Sequence, residues 1–469
     1  MGISLKGFGQ QLSGSTITLK IADSHRLVKL GNAIDWQALA DIVMPDLKAT
    51  EKGWWRVGRK LKLRIHLGVY LLQQILNIPD RAIEQAIQDN AAYQIFCGKT
   101  LIRDWHCPDH SKINTFRNRL SPQTHCALAN AISHCAVTLG FANPAHVDID
   151  STVQEADMQY PASSSLLVKT AVVAKTIQKL VLTYLPEKAG ELIEVNLKTI
   201  KGIARNYWFT KHKSVNQEQK AGLLKQLWEQ VSAVTLPMVR LAQYLAEPYL
   251  LATLRPSEQS LVLRFIDKAP RLLTGLFERC YEALPRKIDC YSYFRDSVHC
   301  FNKGKAHKSC EFGRQFQIAR IEGNFLYSIP NNSVQMFDPH QIKPMLKQHI
   351  ELFQTPIESL VTDKGYYSKD NEKFALELGI EKVAIQRPRR KLDKPPDNPL
   401  TDEQLEPLVN RRAGIEAIIG HLKQDGQMGR SRMRLDDSTE SSGYTSILGF
   451  NCRQLMNRLT QVEGNAVTT

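Results

Sequence analysis

The sequence of 469 residues contains no apolar run approaching the roughly 18 residues that cross a bilayer. Its opening stretch, MGISLKGFGQQ, lacks the apolar core of a secretion signal. These two absences predict no membrane partner and a soluble, cytoplasmic protein. No C-x-x-C pair occurs either: the nine cysteines are odd in number and scattered, which indicates neither a disulfide framework nor a zinc knuckle. Cys97, Cys107 and His110 come close in sequence but in no zinc-ligand spacing, and the two thiols are read as core or surface groups. Charged residues make up only 23% of the chain against 43% hydrophobic. That composition excludes a disordered chain and predicts two or more globular domains. No internal repeat stands out.

What the chain does have is a surplus of positive charge. Lys and Arg number 61 against 47 for Asp and Glu, a formal charge of +14. A basic protein gains by binding polyanions, because phosphates neutralised by Lys and Arg release counterions. Nucleic acid is thus the expected partner, with a solvated basic surface as the alternative.

Leu63, Leu67, Tyr70 and Leu71 recur at the spacing of one helical face, predicting an amphipathic helix from Leu61 to Ile75. The cluster before it, Trp54, Trp55, Arg56, Arg59, Lys60, Lys62 and Arg64, suits a phosphate backbone, or anchors a core. A second helix is predicted after Pro79-Asp80. A third, capped by Asp109, carries Lys112, Arg117 and Arg119. Short helices ending in a basic one are compatible with a helix-turn-helix. The alternation in AHVDID, Ala145 to Asp150, predicts a strand that stops at a polar turn, Ser151-Thr152, with Asp148 and Asp150 on one face. Leu166 to Leu284 reads as helical, with Lys198, Lys201, Arg205, Tyr207, Trp208, Lys211 and Lys213 as a basic and aromatic portion.

Beyond it, strands are predicted at Gln315–Ile321, Asn324–Ile329, Ser359–Thr362 and Lys382–Gln386, and helices at His340–Leu352, Asn371–Leu378, Glu403–Lys423 and Ile447–Leu459. The Pro-rich segment from Arg387 to Pro399 reads as an exposed loop in which Arg387, Arg389, Arg390 and Lys391 form a phosphate clamp. Arg430, Arg432 and Arg434 add a further basic group.

In Arg412-x3-Glu416-x6-Lys423 the separations place all three side chains on one helical face. Alone, this is an i,i+4 ion pair with a solvated lysine. Three carboxylates change that reading: Asp150 ending a strand before the helical region, Asp363 ending a later strand, and Glu416 on the following helix. Two-metal phosphoryl transfer needs hard oxygen ligands around ions about 3.5–4 Å apart, held on rigid elements. Asp148, on the face of Asp150, is the rival first ligand, and Asp363 could be only a turn residue.

At these positions the chain resembles the DDE transposases of bacterial insertion sequences, whose third carboxylate lies in a Tyr-x2-Arg-x3-Glu-x6-Lys signature. Asp150 stands in VDIDSTVQEADMQYP, Asp363 in VTDKGYYS and Glu416 in RRAGIEAIIGHLKQDGQMGRSRM. The resemblance extends to FNKGKAHKSCEFG, IEQAIQDNAAYQIFCG and CPDHSKINTFRNRL, and so covers most of residues 60–460. Val409 replaces the signature tyrosine. His421 falls in the motif but off the face of Glu416, and is read as structural.

The resemblance implies an α/β protein with an RNase H-like mixed-sheet catalytic domain (141–164 and 288–460), interrupted by a helical insertion (165–287). A helical N-terminal DNA-binding domain (1–140) and a tail (461–469) complete it. It further implies two Mg²⁺ or Mn²⁺ ions on Asp150, Asp363 and Glu416, and DNA contacts from Arg412 and Lys423. The basic groups Lys112, Arg117 and Arg430 are expected to add to these. Double-stranded DNA, both transposon ends and target, and a homo-oligomer on DNA are the partners expected. The rival readings are an RNase H-like nuclease without strand transfer and a catalytically inactive, domesticated DNA-binding protein.

Overall fold

The computed structural model describes residues 21–49, 61–98, 107–158, 162–210, 217–281, 290–296, 298–305, 308–330, 337–385, 400–433 and 436–466. The predicted clamp residues Arg387, Arg389, Arg390 and Lys391, and the cluster at Trp54 to Lys60, lie outside the described residues. The chain divides into two compact units, one of residues 1–154, 315–431 and 440–469, the other of residues 155–314 and 432–439.

The first unit begins with helices α1 (Arg26–Ala33), α2 (Trp36–Ala49), α3 (Leu61–Leu76), α4 (Asp80–Asp89), α5 (Ala91–Phe96), α6 (His110–Arg119) and α7 (Pro122–Thr138). The expected face of α3 is inside, with Leu67, Tyr70 and Leu71 buried, but Val69 and Leu72 are buried too. Helix α6 starts where its cap predicts: Asp109 accepts from the backbone N–H groups of Ser111 and Lys112.

Strand β1 runs Asn143–Glu155, and so continues through Ser151-Thr152 where a turn was expected. The continuation is stabilised because its polar side chains are buried with partners. Gln154 donates to the Gln427 carbonyl at 2.6 Å and accepts from Ser442 at 3.0 Å.

Within the second unit, helices α8 (Ser163–Tyr184), α9 (Leu197–Phe209), α10 (Gln217–Leu245), α11 (Pro248–Leu251) and α12 (Pro256–Tyr281) bury a core of their own around Leu227, Val231, Phe265 and Leu276. The indole of Trp228 on α10 donates to the Leu273 carbonyl on α12 at 2.8 Å. Lys198, Lys201, Arg205 and Trp208 line the exposed side of α9.

Strands β2 (His299–Lys305), β3 (Lys308–Glu322) and β4 (Phe325–Ser328) follow, then α13 (Ile342–Phe353), β5 (Ser359–Thr362), α14 (Lys369–Glu377) and β6 (Lys382–Ile385). Helices α15 (Asp402–Gln424) and α16 (Asp436–Ala466) come last. The sheet has the order β2-β3-β1-β5-β6, with β4 pairing the later part of β3. It is mixed: β1, β5 and β6 pair in parallel, whereas β2 and β4 run antiparallel to β3. Gly323 and Asn324 both take positive φ, 94° and 65°, as a two-residue hairpin turn between twisted strands requires. A Cβ on Gly323 would stand 2.3 Å from the Phe141 carbonyl oxygen.

The N-terminal helices and the sheet share one core, which joins Leu67, Phe116 and Leu128 to Phe316, Tyr327 and Leu448. The backbone of β4 is sealed by two buried amides from helices distant in sequence. Asn130 on α7 exchanges hydrogen bonds with Ser328, donating at 2.9 Å and accepting at 3.0 Å. Asn451 on α16 does the same with Leu326, at 2.7 Å and 3.0 Å, and also reaches Ser133 at 2.9 Å. Unpaired strand groups are costly when buried, and these amides supply the partners a further strand would. No described helix is long and apolar enough to cross a membrane.

Candidate active site

The parallel pairing of β1 with β5 runs from His146 opposite Ser359 to Ile149 opposite Thr362. One residue further along that register come Asp150 and Asp363, at the carboxyl end of β5. Helix α15 crosses this edge and brings Arg412 and Glu416. The Arg412 guanidinium touches all three carboxylates: Asp150 at 3.0 Å, Glu416 at 3.1 Å and Asp363 at 3.7 Å. The three residues singled out in the sequence thus converge on one side chain.

Their environments differ. The side chain of Asp150 is 16% exposed, that of Asp363 47% and that of Glu416 65%. Burial pushes the Asp150 carboxyl above its ordinary range and the charge of Asp363 adds to the rise; the Ser151 N–H at 2.7 Å and Arg412 oppose it. Asp363 caps a short 3-10 turn, accepting from the Lys364 N–H at 2.7 Å. One guanidinium faces three carboxylates, so the cluster is short of positive charge.

As arranged, no group of three or more His, Cys, Asp and Glu among the described residues is spaced to hold a metal ion; Arg412 stands between the acids instead. The donor set is nevertheless that of a hard divalent cation, carboxylate oxygens on two strand ends and a helix. Burial disfavours the ionised Asp150, a cost that such a cation would offset.

Around these residues runs a polar network that sequence reasoning missed. Gln315 donates to Ser151 Oγ at 2.8 Å and to Asp338 at 2.7 Å, and Gln317 donates to the same Asp338 oxygen at 3.0 Å. The hydroxyl of Tyr366, two residues into the turn that Asp363 caps, donates to Gln317. Burial and the charges of Asp338, Asp150 and Asp363 hold that phenol far above its usual range. The alternation of Gln315 and Gln317 along one face of β3 was the available signal, but their partner Asp338 lies in a 3-10 turn that carries none.

The predicted DNA contacts separate into groups. Lys112 is exposed, with a partial tie to Asp109 at 3.1 Å. Arg430 is exposed and Lys423 half-buried. Arg117 is a correction: it is buried at 8% exposure and its guanidinium is spent on Asp80 and Asn114. Its place on the same basic helix as Lys112 did not reveal that an acid on α4, Asp80, faces it. His421 is exposed and pairs with Asp425 at 3.1 Å. Cys97 and Cys107 are buried free thiols, raised by burial and so protonated.

These elements define a mixed α/β protein with a helical N-terminal region and an acidic cluster at a strand edge. Residues 16–119 match the family described as Transposase domain (DUF772), and residues 333–447 the one described as Transposase DDE domain. The chain carries the domains of a DDE transposase of an insertion sequence. Asp363 and Glu416 fall within the second match, Asp150 within neither. The chain is also 27% identical over 148 residues to "Uncharacterized protein ORF8 in nfe locus" of Rhizobium meliloti, which covers 30% of this chain and 68% of that protein. No solved structure matches.

Proposed function

We propose that this transposase binds the terminal inverted repeats of its insertion sequence, hydrolyses a phosphodiester at each end, and joins the freed 3′ hydroxyl to target DNA. The observation that carries the reading is the convergence of Asp150, Asp363 and Glu416 on Arg412. The catalytic region, 141–164 with 288–460, is assigned an RNase H-like fold. The helices of 1–140 are assigned to end recognition, and the helical region 165–287 to an insertion.

Asp150, Asp363 and Glu416 would hold two divalent ions, Mg²⁺ or Mn²⁺. When bound, these would activate the attacking water in the hydrolysis and the 3′ hydroxyl in the joining, and would stabilise the leaving oxygen in each. Arg412 offsets part of the acidic charge in the metal-free protein and would meet the phosphate that enters the cluster. The Gln315–Asp338–Gln317–Tyr366 network holds Ser151 and the turn after Asp363, and so fixes the two aspartates relative to each other. Lys423, Arg430 and Lys112 extend the positive surface along the DNA. Arg387, Arg389, Arg390 and Lys391 are assigned the same role from their sequence. Pairing of two DNA ends calls for a homo-oligomer on DNA, and these partners place the protein in the cytoplasm with the nucleoid.

The test is Mg²⁺-dependent cleavage and joining of labelled DNA carrying the element's ends, with wild type, Glu416→Ala and Asp150→Ala. Loss of both activities with retained DNA binding is expected. An unaffected variant would reduce the cluster to a structural ion-pair group, and cleavage without joining would leave a nuclease. Because α1 to α7 share the core of the sheet, end recognition is better tested by Lys112→Ala than by deletion.

A further inference from the structure

Two residues before Asp150, Asp148 is among the most enclosed charges of the first unit, 3% exposed. Its carboxylate is held from both sides. Arg320 on β3 donates to Oδ2 through Nε at 2.9 Å and also through Nη2. Arg411 on α15 donates to Oδ1 through Nε at 2.9 Å, with Nη2 at 2.8 Å from the same oxygen. Arg411 goes on to Ser359 Oγ at 2.7 Å, which contacts His146 Nδ1 at 2.9 Å. Arg320 closes the ring by donating to the Arg411 carbonyl oxygen. The cluster therefore ties α15 to β1, β3 and β5 at once.

Its geometry is coupled to the acidic site by sequence adjacency. Arg411 and Arg412 are consecutive on α15 and reach Asp148 and Asp150, which are two apart on β1. The two pairs act as successive teeth. Sliding the helix along the strand would take Arg411 from Asp148 and leave this buried carboxylate with Arg320 alone. Gly414 makes the close approach possible, because a Cβ there would lie 2.3 Å from Arg320 Nη1.

We propose that Asp148 is a positioning residue: clamped between Arg320 and Arg411, it fixes where α15 lies along β1, and so sets the reach of Arg412 and Glu416 toward Asp150 and Asp363. Asp148, its side chain 4% exposed and tied to two guanidinium groups, is thereby set apart from the proposed first metal ligand, Asp150, whose side chain is 16% exposed and tied to one. The consequence for metal binding rests on the function proposed above; the clamp itself does not.

The test compares full-length wild type with Arg411→Ala, Arg411→Lys, Asp148→Asn and Gly414→Ala, each first checked for folding by circular dichroism and melting. Deuterium uptake over residues 402–424 of the metal-free protein reads whether α15 is held. Mn²⁺ titration followed by its electron paramagnetic resonance signal reads the acidic site, with Asp150→Ala as the reference for ligand loss.

Arg411→Ala is expected to speed uptake over 402–424 and to weaken Mn²⁺ binding by about tenfold, as loss of a residue behind a metal ligand does. Arg411→Lys, which keeps the charge, should recover most of both. If Arg411→Ala does not fold, Gly414→Ala, which pushes on Arg320 without removing a charge, should give the same pair of changes in smaller measure. Uptake and Mn²⁺ affinity that both stay at wild-type values in the folded variants would overturn the proposal. Faster uptake, with Mn²⁺ binding equal in wild type and Asp150→Ala, would uphold the clamp and overturn the metal assignment.

Discussion

Arg117 on α6 meets Asp80 at the start of α4 with both arms of its guanidinium, Nη1 to Oδ1 at 2.6 Å and Nη2 to Oδ2 at 3.0 Å. Burial alone would raise Asp80, but the Arg117 bonds and charge and the Gln73 amide overcome it and hold the carboxyl below its usual range. Such a pair is costly to break from one side, because the remaining charge stays half-buried. Arg117→Ala is expected to destabilise the first unit by about 3 kcal/mol, measured by urea unfolding. Full stability with weakened DNA binding would instead return Arg117 to the DNA surface.

Asp150 gives the opposite sign. Its folded-state pKa lies above the ordinary value, so its ionisation opposes folding as pH rises through that folded value. Asp150→Asn should therefore raise the melting temperature of the metal-free protein at neutral pH, by on the order of 2 °C, while ending DNA cleavage. A lower melting temperature would mean that the Arg412 pair outweighs burial.

Acid should act through two buried histidines. His125 is held down to about 4 by burial and the charge of Arg117, against a hydrogen bond to the Arg117 carbonyl and the charge of Asp46. Burial likewise holds His349 at about 4, against a backbone bond to Pro144. Between about pH 6.5, where the unfolded imidazoles titrate, and pH 4 the unfolded chain binds protons that the folded one does not. Stability is thus complete above pH 6.5 and falls as pH drops toward 4. Melting temperatures across that range should fall less steeply for His349→Gln, and an unchanged slope would remove His349 from the account.

The seal on β4 is testable at Asn451. Asn451→Leu leaves the N–H and C=O of Leu326 without that partner, and the loss should be on the order of 3 kcal/mol. Melting followed with light scattering would show it, and a variant as stable and monodisperse as wild type would mean that Leu326 finds other partners.

The sequence made the site's acids legible because each stands at a recognisable place: Asp150 in an alternating segment, Asp363 just past a short apolar strand, Glu416 in a spaced motif on a helix. Strands β5 and β6 and helix α15 lie within a residue or two of expectation for the same reason. Two features hid from it. Helix α16 extends eleven residues earlier than the apolar stretch at Ile447, and Ser441, Ser442, Thr445 and Ser446 are buried there. A buried face made of hydroxyls carries no hydrophobic period. Only contact geometry explains it: a Cβ on Gly443 would strike the Phe316 ring at 2.2 Å, so the helix needs small residues to lie that close. The role of Asp148 was hidden too, because both arginines that hold it are distant in sequence, and alternation alone could not separate it from Asp150.

The amides that close β4 come from residues 130 and 451, one made before the strand and one more than a hundred residues after it. During synthesis, then, the strand is finished with half of its seal in place, and Leu326 waits until α16 has left the ribosome. Over that interval the nascent chain presents a partly open edge to any neighbouring strand. Early termination before residue 451 would make that edge permanent and turn a truncated transposase into a seed for aggregation.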